Sequence, residues 1–148
     1  MTQVICGVDV SSISLEAFVG PTGPARSFAN NAEGISQLAC FCQQHGVQLV
    51  ALEATGGYEK QAFALLWAQG VAVALLNPRA VRDFAKAMGL LEKTDRIDAQ
   101  VLAHFAEAVR PEVRPLPDAT TQELAILVAF DAIFLVASWL LFEAVLEP

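Results

Sequence analysis

The chain has 148 residues, 55% of them apolar and 17% charged, with a formal net charge of −7. That length suits one domain around a single core. The acidic sum excludes a uniformly basic nucleic-acid binder, which normally carries a positive footprint. Three cysteines with no framework spacing, and no basic-then-apolar leader, exclude a secreted disulfide scaffold and point to the cytoplasm.

"QVICGVDVS" opens the chain as a short apolar, β-branched run ending at Asp9 and two serines, the pattern of a buried strand. "SLEAFVG" alternates, "GPTGP" turns and "ARSFAN" makes a third strand, so the start reads as an antiparallel meander. "NAEGISQLACFCQQHG" has helical spacing and a glycine stop. Cys40, Cys42 and His45 in that helix suggest a metal cluster, but helix residues two apart point to different faces. The expectation is buried, inert thiols.

"VQLVALEAT" is a second buried strand closed by Gly56-Gly57. "YEKQAFALLWAQG" is a helix, and "VAVALLN" is a strand running into Pro78. "PRAVRDFAKAMG" begins with proline and ends with glycine, the asymmetry of a helix. From Thr94, a cap, to about Val109 the pattern is helical, with Ile97, Val101, Leu102 and Phe105 on one stripe. "RPEVRPLPDATT" is a proline-rich linker. Strands alternating with helices after a meander predict an α/β domain, a mixed sheet flanked by helices.

The charges are unevenly spread. Seven of the nine basic residues (Arg79, Arg82, Lys86, Lys93, Arg96, Arg110, Arg114) lie between positions 79 and 114, so that half of an acidic chain can face a polyanion. Ligands of such sheets sit beyond the carboxyl ends of the strands. Asp9 and Glu53 end two strands there, and Asp95 and Asp98, at i and i+3, share one face of a helix start. Four carboxylates in one pocket repel one another unless cations neutralise them. Magnesium or manganese suits oxygen ligands, and two such ions roughly 3.5–4 Å apart can clamp a phosphodiester. Arg79, Arg82, Lys86, Lys93 and Arg96 would then grip the nucleic-acid backbone. Each acid also has a plainer use. Asp9 can close an Asx-turn, Glu53 can cap the next helix across the Gly-Gly turn, and Asp95 and Asp98 can answer the helix dipole. The strand–glycine–helix join can also cradle a phosphate.

"GVDVS", "ALEATGGYE" and "NPRAVRDFAKAMGLLEKTDRIDAQVLAHFAE" resemble the DEDD transposases of the insertion-sequence one-hundred-ten family, relatives of the pilin-gene-inverting recombinases. The resemblance covers roughly residues 4–123, the family's N-terminal catalytic domain, and implies a ribonuclease H-like fold similar to that of Holliday-junction resolvases. It implies that Asp9, Glu53, Asp95 and Asp98 are the Asp-Glu-Asp-Asp tetrad, holding Mg2+ or Mn2+ for cleavage and exchange of DNA strands. The partners it implies are insertion-element and target DNA, a structured guide RNA and further copies of the chain. Ser12 stands where the family usually has lysine.

The family's serine-bearing second domain has no counterpart here. "LAILVAFDAIFLVASWLLFEAVL" (124–146) stands instead, an atypical hydrophobic helix by pattern. Its length suits a membrane span, but a mid-span aspartate costs about 2.5–3.5 kcal/mol there and no basic flank follows. A membrane role is therefore not expected. The expected organisation is a catalytic domain over 1–118 and a linker and hydrophobic tail over 119–148, the tail arising from truncation or a frameshift near residue 129. The rival readings are an inactive remnant that binds DNA or full-length transposase, and an ATPase-like domain. The latter expects glycines after the first aspartate, and "DVSSIS" has none.

Overall fold

The apolar, β-branched run at the start of the chain pairs first with its own sequence neighbours. Strand β1 (Ile5–Val10) folds back on β2 (Ser14–Val19), and β2 on β3 (Ala25–Ala29), both antiparallel. The structure, a computed structural model, describes residues 3–90 and 95–114, with side chains from 98 onward in the last helix. These residues belong to one compact unit, Met1–Pro115. The predicted helix cap Thr94, Lys93, the side chains of Asp95 and Arg96, the linker from residue 115 and the hydrophobic tail all lie outside the described residues.

After the meander the chain alternates: α1 (Ala32–Gln44), β4 (Leu49–Glu53), α2 (Glu59–Ala68), β5 (Val73–Leu76), α3 (Pro78–Ala87) and α4 (Asp95–Val109). The helix starts follow local chemistry. Asn31 Oδ1 accepts from the Gly34 N–H at 2.8 Å, and Asn77 Oδ1 from the Arg79 N–H at 2.9 Å just before Pro78. Each crossover helix returns the chain to the same end of the sheet, so β4 and β5 add parallel to β1 and the strand order is β3-β2-β1-β4-β5. The result is the mixed α/β sheet expected from the sequence. No helix among the described residues is long and apolar enough to cross a membrane.

Strand alternation assigns the faces. Ile5, Leu49, Ala51, Ala74 and Leu76 pack with Val81 of α3 and with Val101, Leu102, Phe105 and Ala106 of α4 in one core cluster. Phe84 meets Phe105 edge to face at 5.5 Å and fixes α3 to α4. Cys6 alternates with those residues and points to the opposite face, where it meets Cys42 of α1. The neighbouring thiol and burial hold the Cys6 thiol protonated, well above the usual range. Cys42 is also buried, but Cys40 is exposed. The expectation that both helix thiols are buried fails at Cys40 because two steps along a helix turn a side chain to the other face.

The approach of α4 to β1 is unusually close. A Cβ built on Gly7 would lie 2.1 Å from the Ala99 carbonyl oxygen and 2.5 Å from the Ala103 nitrogen. With alanines at both contact points, the helix backbone rests directly on the strand.

Candidate functional site

The sheet register and the direction of α4 locate the acidic residues. Val8 pairs with Leu52 across the parallel β1–β4 ladder, and the next step along it sets Asp9 beside Glu53 at the carboxyl ends of the two strands. Both residues have the parity of Gly7 and Ala51, so both belong to the face that α4 covers. Helix α4 runs against β1. Its Ala99 lies over Gly7, and its Ala103 lies over Gly20, beside the strand's start at Ile5. The N-terminal turn of α4 therefore overhangs the end of the sheet that carries Asp9 and Glu53.

Glu53 and Asp98 line one cleft of about 450 Å³, walled by Ala54, Thr55 and Gly56 on one side and by Val81, Arg82 and Ala85 of α3 on the other. Asp9, Glu53 and Asp98 are each half-buried. The register adds an acid that the sequence reading missed. Glu16 stands opposite Asp9 across the antiparallel β1–β2 pair, and its carboxylate accepts from the Ser27 hydroxyl at 2.6 Å. Asp9 is thus the middle member of a row running Glu16, Asp9, Glu53 over three adjacent strands. Sequence alternation could have revealed Glu16 only if the hairpin register had been known.

Among the described residues, no group of three or more His, Cys, Asp or Glu side chains forms a metal-holding set. The Asp95 side chain lies outside those residues. The structure therefore brings Glu53 and Asp98 into one cleft and sets Asp9 beside Glu53 in the ladder, without assembling a complete ligand set.

Ser11 and Glu59 take part in closing the turns after the two acidic strands. Ser11 Oγ accepts from the Ser14 N–H at 2.9 Å, closing the β1–β2 turn. After β4, it is the Glu59 carboxylate that serves the glycine turn. Its Oε2 accepts from the Thr55 N–H at 3.1 Å, the Thr55 hydroxyl at 3.3 Å and the Gly57 N–H at 2.8 Å. An internal anion at 6% exposure therefore already engages the Thr55 and Gly57 N–H groups of the strand–glycine–helix join. Burial alone would raise the Glu59 pKa. The hydrogen bonds it accepts from its own N–H, Gly57 and Thr55 outweigh that and hold it below the usual glutamate range.

The basic residues are distributed as a helix face demands. Arg79, Arg82 and Lys86 are exposed on α3, and Arg82 reaches the cleft rim, where its Nε donates to the Pro78 carbonyl at 3.3 Å. Lys86 pairs with Asp83 at 3.9 Å, an exposed contact worth about 0–1 kcal/mol.

Comparison with known proteins bears on this arrangement. The model of the DEDD transposases of the insertion-sequence one-hundred-ten family, described as "Transposase", matches residues 6–138. The pilin gene-inverting proteins of Moraxella lacunata and Moraxella bovis are 27% and 28% identical to this chain over 117 residues. The match covers 75% of this chain but 36% of each relative, so the chain spans little more than a third of their length. Among solved structures, T. thermophilus RuvC in complex with Holliday junction substrate matches with a TM-score of 0.53 at 16% identity, covering 77% of this chain and 99% of that one. At that identity the likeness is one of fold, a ribonuclease H-like sheet flanked by helices.

Proposed function

Since this chain belongs to the DEDD transposases of the insertion-sequence one-hundred-ten family, we propose that its N-terminal part is the catalytic domain of an insertion-element transposase, cleaving and exchanging DNA strands with divalent metal. The proposed domain spans 1–118. The observation that supports it most is the convergence of Asp9, Glu53 and the first turn of α4 on one end and one face of the sheet.

The residues suit a hard cation. Asp9, Glu53, Asp95 and Asp98 would hold Mg2+ or Mn2+, because carboxylate oxygens are the donors such ions prefer. When bound, the metal supplies charge neutralisation at the phosphodiester and activation of the attacking oxygen. The chain's own contribution is positional. Strands β1 and β4, interior to the sheet, hold Asp9 and Glu53 at its carboxyl end, α4 carries Asp98 into the cleft that Glu53 lines, and the apolar side chains of Val81 and Val101 form part of the cleft wall. Arg79, Arg82 and Lys86 on α3, with Lys93 and Arg96 further along the chain, would contact the DNA backbone. Insertion-element and target DNA are the proposed substrates, and a structured guide RNA and further copies of the chain are the proposed partners. Because the matched stretch is 36% of the curated relatives' length, strand exchange and target choice are proposed for the whole protein, and metal-dependent cleavage for this domain.

The test is a titration of Mn2+ and of Mg2+ into the wild-type chain and Asp9→Ala. Thermal stability and nicking of plasmid and branched DNA are followed together. The reading expects metal to stabilise and activate the wild type alone. Equal responses of the two proteins would overturn it. Stabilisation without nicking of any DNA form would indicate an inactive remnant.

A further inference from the structure

We propose that Glu59 is a positioning residue: its buried carboxylate fixes the loop 54–57, and through that loop the cleft wall next to Glu53. The inference rests on the functional reading above. Gly56 and Gly57 adopt φ of 77° and 115°, in the left-handed region, and nothing lies within 4 Å of where a Cβ would sit on either. Packing therefore does not confine the turn from its sides.

Its ends are tied instead. Upstream, the Ala54 N–H donates to the Leu76 carbonyl at 3.2 Å and prolongs the β4–β5 ladder past Glu53. Downstream, one carboxylate oxygen of Glu59 gathers the Thr55 N–H, the Thr55 hydroxyl and the Gly57 N–H. Hydrogen bonds to an ionised acceptor are roughly twice as strong as neutral ones, and at 6% exposure these are little weakened by water. Ala54, Thr55 and Gly56 form the cleft wall beside Glu53. Releasing the loop would therefore widen the space between Glu53 and Asp98 without removing either.

The start of α2 is tied to the other acidic strand as well. The Asn30 side-chain amide donates to the Ser11 carbonyl at 2.7 Å and to the Tyr58 carbonyl at 3.4 Å. Loop 54–57 and the turn after Asp9 are thus referred to one framework, with Glu59 as its charged member.

The experiment compares the full wild-type chain with Glu59→Gln, Glu59→Ala and Ile35→Val, the last a mild destabilisation on α1. Amide hydrogen exchange of Thr55 and Gly57 is read without metal, and Mn2+ affinity by calorimetry. The expected result is faster exchange at both amides and Mn2+ affinity weakened by roughly tenfold in Glu59→Ala, as for residues that orient metal ligands. Glu59→Gln should fall between Glu59→Ala and wild type, and Ile35→Val should leave both readouts unchanged. Unchanged exchange in Glu59→Ala, or equal Mn2+ weakening in Ile35→Val, would overturn the inference. A wild-type chain that binds no Mn2+ would instead sink the functional reading, and the exchange measurement would still decide whether Glu59 holds the loop.

Discussion

Replacing Gly7 by alanine tests the geometry that brings the two halves of the acidic site together. The added Cβ would sit 2.1 Å from the Ala99 oxygen and 2.5 Å from the Ala103 nitrogen, both backbone atoms of α4. Backbone cannot swing aside as a side chain can, so α4 must withdraw by about 1 Å, a gap that forfeits up to half of each dispersion contact along its apolar stripe. Overpacking of this kind costs about 1–3 kcal/mol and occasionally more. The opposing gain from replacing glycine in a strand is only about 0.5–1 kcal/mol. The clash should win, with a net loss of about 1–2 kcal/mol and a melting temperature lower by roughly 4–8 °C. Denaturant unfolding of wild type and Gly7→Ala measures the loss. Titration of Mn2+ into the folded variant measures the second consequence, since a withdrawn α4 lifts Asp98 from the sheet end that carries Asp9 and Glu53. A variant within about 0.5 kcal/mol of wild type, the ordinary range for surface changes, would show that the close approach of helix to strand is not what fixes the site.

Asp98→Asn removes one of the two carboxylates that line the cleft. It should abolish the stabilisation by metal, about 2.7 kcal/mol at a hundredfold excess over Kd in wild type; thermal melts with and without Mn2+ check this, and an undiminished metal increment would contradict the assignment. Arg82→Ala, exposed on α3, should change stability by less than about 0.5 kcal/mol. It should reduce the slope of log affinity for DNA against log salt by about 1, as loss of one phosphate contact requires. The folded-state pKa of Glu59 is lowered, so its contribution to stability is complete above the ordinary glutamate range and is lost as pH falls through that range to the lowered value. Stability measured against pH should therefore fall less steeply on the acid side in Glu59→Gln than in wild type, and parallel acid limbs would refute the role of its hydrogen bonds.

Much of the fold was legible because its signals are local. The apolar run to Val10, the proline at the start of α3 and the stripe of Val101, Leu102 and Phe105 each reflect forces acting within a few residues. The strand-end positions of Asp9 and Glu53 were legible for the same reason. The supporting residues were not. Gly7 looks like any small residue in a strand, and its purpose comes from α4, which lies far along the chain. Glu16 faces Asp9 only because the hairpin takes one register, and a one-residue slip would turn it to the other side. Glu59 sits in a first helical turn, where an acid is ordinary, and its bonds run backward into the glycine loop. A glutamate shortly after a pair of glycines was the available clue.

Gly7 and Glu59 share one property that bears on how such a site is built. Carboxylates collected in one cleft repel, so the fold must hold them together before any cation arrives, and that requires stiffness in elements that are not themselves ligands. Here the stiffness has separate sources for separate carboxylates. A glycine lets α4 lie on β1 and so sets the height of Asp98. A parallel ladder sets Asp9 beside Glu53. A buried charge closes the turn that follows Glu53. Independent sources of stiffness imply effects that add: Gly7→Ala and Glu59→Gln have no shared partner, and their losses of metal affinity should sum in free energy within about 0.5 kcal/mol. A double variant no worse than the poorer single one would mean that one support alone governs the cleft, and the division of labour argued from these contacts would be wrong.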